Sequence, residues 1–171
     1  AEVDQRGFLL IQTHQRPLVT LKIAMSSDGF MRTPEGQSPW ITGELARQKG
    51  HMLRAQHDAI VTGAGTLAAD NPSLDCRLPG LAEASPVPVI MSRGGKVSPN
   101  CHLATRAKQE TVLLYTETES DFVGETMVLA PLTPEAVLAD LAARGMTRVL
   151  LECGPELALA FAQAGCLDEV A

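Results

Sequence analysis

Short runs of aliphatic and β-branched residues alternate with longer stretches of helical spacing, and this alternation constrains the chain more than any other feature. Parallel strands can be rejoined only by a long crossover, usually a helix, and strands covered on both sides read as continuous apolar runs. The pattern predicts an α/β domain with a mostly parallel central sheet and helices on both faces. Strands are expected at Leu18 to Met25, Asp58 to Thr62, Val87 to Ser92, 111–116, 126–130 and Arg148 to Cys153, and LDEVA at the end reads as the start of another. Between them, Thr42 to Gln56 reads as a helix capped by Thr42, with Leu45, Ala46, Met52 and Leu53 on one face. Gly63 to Ala69 opens a short helix stopped by Asn71-Pro72. The clearest helix is Pro134 to Arg144, with Thr133 as its cap and Gly145 as its stop, and a last one runs from Glu156 to Ala164. A chain that ends on a strand is expected to be a fragment or to lack its last residues here.

A length of 171 residues fits one domain. A net charge of −6 and only Trp 1, Tyr 1 and Phe 4 leave neither a basic field nor a base-stacking platform, so nucleic acid is not an expected partner. No apolar run nears the roughly 18 residues of a membrane span, and AEVDQRGFLL is unlike a signal peptide. A cytoplasmic protein is expected, with Cys76, Cys101, Cys153 and Cys166 reduced and not ligating metal. His14, His51, His57 and His102 are scattered and belong to no metal motif, so metal catalysis is disfavoured. The common hydrolase elbow, P-loop and dinucleotide fingerprints are also missing.

In open parallel sheets, ligands collect beyond the carboxyl ends of the strands. Four places there carry candidate chemistry. In VTGAGTLAADNP (61–72) a buried strand runs through Gly63-x-Gly65 into a helix start that suits a phosphate, or simply makes a tight turn. In VLLECGPELALA (149–160) Glu152 stands at the end of an apolar strand and Gly154-Pro155 opens a nearly uncharged helix. A carboxylate there must hydrogen-bond a ligand or pair with a cation, and both alternatives are open. Lys22 lies within a strand whose alternation puts Leu18, Thr20, Lys22 and Ala24 on one face; it is either an edge lysine or one held for a purpose. Arg54 and Arg77 carry the planar fork that suits phosphate, although an isolated arginine can equally be a solvated surface charge.

Taken in register, RPLVTLKIAMSSDG (16–29), SPWITG (38–43), LRAQHDAIVTGAGTLAADNPSLDCR (53–77) and LLECGPELALAFAQAGCLDEV (150–170) closely resemble the reductase domain of the bifunctional riboflavin biosynthesis deaminase/reductase. GFLLIQTHQRP resembles the connector to that family's deaminase, giving a connector at 1–15 and a reductase domain at 16–171 that lacks its C-terminal strands. The resemblance implies a dihydrofolate-reductase-like fold and NADPH-dependent reduction of 5-amino-6-(5-phosphoribosylamino)uracil to the ribityl compound, with hydride going to C1′. The zinc signature of the deaminase is absent, and no metal is expected. The family pattern places cofactor contacts at Ala24, Trp40, Thr66, Asp70, Ser92 and the segment Gly154, Pro155, Glu156, Leu157, Ala158, Leu159 and Ala160. It places substrate contacts at Ser38, Arg54, Leu74, Arg77 and Glu152. Lys22 and Glu152 are the candidate catalytic residues, with Lys22 a proton donor if it points into the cleft.

Arg93 and Lys96 leave the strand VPVIMS on a glycine turn with no acid between Val87 and Ala107, so they are candidates for the 2′-phosphate of NADPH. An ordinary glycine turn is the alternative. The partners expected are the phosphorylated substrate and a second copy of the chain, as a dimer. A reductase of another pterin-like or uracil-like substrate, or a non-catalytic nucleotide-binding module, competes with this reading. A module that had lost turnover would often lack one of Glu152, Arg54 and Arg77, and all three are present.

Overall fold

The computed structural model describes residues 5–26, 29 and 41–171. Its strands are β1 (Leu18–Leu21), β2 (Ala59–Gly63), β3 (Val87–Met91), β4 (Leu113–Thr116), β5 (Glu125–Val128), β6 (Arg148–Leu151) and β7 (Glu169–Val170). Its helices are α1 (Arg6–His14), α2 (Glu44–Ala55), α3 (Ala64–Asp70), α4 (His102–Arg106), α5 (Pro134–Ala143) and α6 (Pro155–Gln163). All pairings are parallel, in the order β5-β4-β3-β2-β6-β1-β7.

Crossovers between parallel strands are right-handed, so the direction of travel across the sheet decides which face each helix covers. From β1 to β4 the chain moves toward β5, and α2, α3 and α4 pack on one face through Leu53, Leu67, Leu103 and Ala104 against Ile60, Ile90, Leu114 and Leu150. From β5 the chain travels back, and α5 and α6 cover the other face through Val137, Leu138, Leu141 and Phe161 against Val61, Val89, Tyr115 and Val149. β6 therefore lies between β2 and β1, whose connections leave to the opposite face from its own. Its carboxyl end is the switch point, the place where ligands collect in sheets of this kind.

Local signals hold where they were strong. Thr133 caps α5, its hydroxyl accepting the Ala136 N–H at 3.3 Å, with Pro134 in the first turn. Elsewhere tertiary contacts revise the expectation. β1 ends at Leu21 rather than Met25, where its pairing with β6 also ends at Leu151, and beyond it the Ile23 N–H bonds the Ala171 carbonyl. Gly43, not Thr42, is the N-cap of α2. Leu45 and Met52 are 77% and 42% exposed and only Leu53 reaches the core, so the expected apolar face of α2 is not its packing face. β1 is flanked by β6 and β7, so Lys22 is not an edge lysine.

Short helices with weak periodicity, α1 and α4, were not expected at all. α1 docks through Gly7, where an added Cβ would lie 2.5 Å from the Thr147 carbonyl oxygen. No helix among the described residues is long and apolar enough to cross a membrane.

Candidate active site

Two glycine turns stand at the carboxyl ends of β2 and β6. Gly63 ends β2 and is the N-cap of α3, and Gly154 follows β6 and is the N-cap of α6; neither has a side-chain cap bond. A Cβ on Gly63 would lie 3.4 Å from Leu157 Cδ2, and one on Gly154 would lie 3.5 Å from Thr66 Oγ1. The first turns of α3 and α6 thus stand side by side, in reach of ordinary van der Waals contact. In α6, Leu157 and Ala158 turn to the core, while Pro155, Glu156 and Leu159 are exposed.

Glu152 leaves β6 on the face covered by α2, because Leu151 before it packs on the α5/α6 side. Arg54 meets it from the last turn of α2. Arg54 Nε donates to Glu152 Oε1 at 2.8 Å and Nη2 to Oε2 at 2.9 Å, and both side chains are largely buried, at 14% and 13% exposure. A third bond runs from Arg54 Nη1 to the Asp75 carbonyl at 2.9 Å, leaving two of its five donors uncommitted among the described residues. Burial pushes the Glu152 carboxyl up, but the Arg54 bonds and charge, with Lys22 and His51, outweigh it and hold the group below its ordinary range. For Arg54, burial alone would lower the pKa, and Glu152, Asp75 and Cys76 more than restore it. Lys22 shares this face by strand alternation, and its charge is felt at Glu152. The sequence left the Glu152 partner open; the structure supplies Arg54.

Leu74 is buried at 2% exposure with φ +55°, so its backbone rather than its side chain is what a ligand could touch. Arg77 extends outward, 60% exposed and 3.7 Å from Asp75 Oδ1. His51, one turn before Arg54 on α2, accepts the Arg77 backbone N–H at its Nδ1, 3.2 Å away. Sequence reasoning passed over His51, and its i, i+3 spacing from Arg54 was the signal that could have found it.

The structure sets Ser92, Arg93 and Lys96 at the carboxyl end of β3, two strands from β6. Ser92 is buried and Arg93 and Lys96 are exposed, around a turn closed by the Gly95 N–H to the Ser92 carbonyl at 2.9 Å. The loop after β4 packs on this turn: the Glu117 N–H bonds the Arg93 carbonyl at 3.1 Å, and a Cβ on Gly95 would come within 3.2 Å of the Glu119 carbonyl oxygen. Acidic residues distant in sequence therefore stand near a turn that has none of its own. Ala24 lies partly buried just past β1, and Asp70 is exposed at the end of α3. Ser38 and Trp40 lie outside the described residues.

All four cysteines are free. Burial and the Glu152 charge push the Cys153 thiol up to about 11. Among the described residues, no group of three or more His, Cys, Asp or Glu side chains could hold a metal ion.

The family model described as RibD C-terminal domain matches residues 17–171. The riboflavin biosynthesis protein RibD of Bacillus amyloliquefaciens is 37% identical over 181 residues, covering 99% of this chain and 48% of that protein. Among solved structures, Acinetobacter baumannii RibD superposes with a TM-score of 0.83 at 30% identity, over 97% of this chain and 48% of that one. A Thermotoga maritima protein described as a diaminohydroxyphosphoribosylaminopyrimidine deaminase/5-amino-6-(5-phosphoribosylamino)uracil reductase superposes at 0.79 with 33% identity, over 96% and 46%. The chain spans about half the length of the curated relatives it matches. The fold is the dihydrofolate-reductase-like α/β fold of these neighbours.

Proposed function

The chain belongs to the RibD C-terminal domain family, and from that premise we propose that it is an NADPH-dependent reductase converting 5-amino-6-(5-phosphoribosylamino)uracil to 5-amino-6-(5-phosphoribitylamino)uracil in riboflavin biosynthesis. The observation that carries this reading is the bidentate Arg54–Glu152 pair at the carboxyl end of β6, on the face that Lys22 shares and next to two glycine turns. A buried carboxylate with its cation at a switch point is a ligand-facing arrangement, because each partner keeps hydrogen-bonding capacity for a third group.

The donor set fits a dinucleotide. α6 begins at an uncapped glycine against Thr66, so its first-turn N–H groups are free to face phosphate oxygens. Two strands away, a distance of about 10 Å at the usual spacing, Arg93 and Lys96 offer cations for a 2′-phosphate. Ala24, Trp40, Thr66, Asp70, Ser92 and residues 154–160 complete this cofactor assignment, and Ser38, Leu74 and Arg77 join Arg54 and Glu152 on the substrate.

When bound, NADPH supplies the hydride. The protein's part is placement and proton handling. Arg77 and the uncommitted Arg54 donors hold the ribose phosphate, and Glu152 accepts a substrate hydroxyl, fixing C1′ relative to the switch point. Once the ribosylamine opens to the imine, reduction adds hydride at C1′ and a proton at nitrogen. Lys22, beside Glu152, is the donor of that proton. Both the cofactor and the substrate carry phosphates that do not cross bilayers unaided, which favours a cytoplasmic site of action; a homodimer belongs to the same reading and is checked by light scattering.

The test is loss of NADPH absorbance when the protein meets the phosphoribosylaminouracil, generated in place by the deaminase reaction, with NADH and dihydrofolate as controls. Consumption with the uracil substrate and NADPH is expected. No consumption, or faster turnover of dihydrofolate, would overturn the assignment.

A further inference from the structure

The segment that carries Arg77 has an unusual backbone and an unusual set of ties. It leaves α3 through Asn71 at φ +41° and reaches Leu74 at φ +55°, left-handed conformations that L side chains seldom adopt and that persist only where the surroundings dictate them. Arg106 Nη1 bonds the Ser73 carbonyl at 2.6 Å, Ser73 Oγ bonds Asp75 Oδ1 at 2.6 Å, and Arg54 Nη1 bonds the Asp75 carbonyl at 2.9 Å. Next along, the Cys76 N–H bonds Ser85 Oγ at 2.9 Å and Cys76 Sγ donates to the His51 carbonyl at 3.3 Å. The last tie is the Arg77 N–H to His51 Nδ1 at 3.2 Å.

A backbone N–H can only donate, so His51 must present a lone pair at Nδ1 and carry its single proton on Nε2. Of the acceptors in this set, it is the one that an added proton near neutral pH would abolish. We propose that His51 is a positioning residue: as a neutral imidazole it fixes the backbone at Arg77, and so sets where the Arg77 guanidinium meets the substrate's phosphate. This rests on the reading of Arg77 given above.

The charged groups acting on the ring are Arg54 from α2 itself, Asp75 and Arg77 from the loop, and Glu152 from β6. Burial, then Arg54 and Arg77, hold the imidazole below its ordinary value of 6.5, and the Asp75 carbonyl and carboxylate pull the other way without prevailing. The neutral acceptor therefore holds at neutral pH. Protonation would set a second N–H against the Arg77 N–H and add a cation between two guanidiniums.

The experiment is steady-state kinetics on the full chain, with phosphorylated and dephosphorylated substrates, for wild type, His51→Leu, His51→Asn and Arg77→Ala. Leucine removes the acceptor, whereas the Asn Oδ1 stands where Nδ1 stands and cannot take up a proton. His51→Leu should raise KM for the phosphorylated substrate about fivefold, the worth of one neutral hydrogen bond, with kcat within about twofold. The dephosphorylated substrate should show no such change. His51→Asn should recover wild-type KM at about pH 7.5. Because the substrate phosphate itself titrates at about pH 6, the pH readout is the ratio of wild-type to His51→Asn KM, which should rise as the pH falls below the ordinary imidazole range.

An asparagine variant as impaired as the leucine one, a ratio that does not move with pH, or equal losses on both substrates would overturn the proposal. Should Arg77→Ala leave KM unchanged, the reading of Arg77 falls and takes this one with it. Should Arg77→Ala raise KM while the His51 variants do not, only the role of His51 falls.

Discussion

Replacing Arg54 and Glu152 together by methionine should leave the fold nearly as stable as wild type and abolish turnover, while either single replacement should unfold the protein more easily. The pair is largely buried and bidentate, with bonds of 2.8 Å and 2.9 Å. Removing one member leaves the other charged and without its partner, a loss of about 3–5 kcal/mol for buried pairs. Lys22 lies close enough to be felt at Glu152, so Arg54→Met belongs at the lower end, about 3 kcal/mol. At roughly 2–4 °C per kcal/mol for a domain of this size, that is a fall in Tm of about 6–12 °C. Glu152→Gln keeps one acceptor but turns an amide N–H₂ toward an Arg54 donor, and should cost about 2 kcal/mol.

In the double variant both desolvation penalties vanish with the charges, and the residual loss is the bond from Arg54 to the Asp75 carbonyl, about 1 kcal/mol. Thermal melts and initial rates per folded molecule supply the measurement. A double variant as unstable as the singles would refute the desolvation reasoning. One that turned over at the wild-type rate would show the pair to be scaffolding and not ligand-facing. The pH dependence carries a sign. Glu152 is held below its ordinary 4.5 in the folded state, so its contribution is complete above that value and is lost as pH falls through the lower folded one. Glu152→Gln should therefore flatten the acid limb of stability, with Asp75 and Asp140, also lowered, keeping some slope.

Arg93→Ala with Lys96→Ala should raise KM for NADPH severalfold and leave NADH kinetics unmoved; equal effects on both cofactors would remove this turn from 2′-phosphate recognition. Gly7→Ala should lower stability by about 2 kcal/mol in a thermal melt, since the new Cβ would meet the Thr147 carbonyl oxygen at 2.5 Å and that oxygen already accepts the Leu18 N–H. An unchanged Tm would mean that α1 does not dock where the structure has it. Cys153, its thiol pushed up to about 11, should resist alkylation at neutral pH in the native protein and react once unfolded, as mass spectrometry would register. Fast native modification would contradict its placement.

Features written within a few residues of one another were legible in the sequence. The aliphatic runs at β2, β3 and β6, the Thr133-Pro134 start and Gly145 stop of α5, and the glycines that begin α3 and α6 each depend on local backbone chemistry. They were enough for the fold class and for naming Glu152, Arg54 and Lys22 as residues to weigh. What lies across the sheet was decided only by the tertiary structure. Arg54 and Glu152 are 98 residues apart, and whether that carboxylate paired with a cation or waited for a ligand depended on β6 lying beside β2 with α2 above it.

The same non-local packing set the inner face of α2. Its spacing pointed to Leu45, Ala46, Met52 and Leu53, yet of these the helix turns only Leu53 to the core and lays His51 and Arg54 on the Arg77 loop. The Arg93 turn lacks acids in its own segment but has the Glu117–Glu119 loop against it. Periodicity and capping are read from neighbours in sequence, whereas strand order, and with it the company each charge keeps, follows from which crossovers close the sheet with its apolar faces covered.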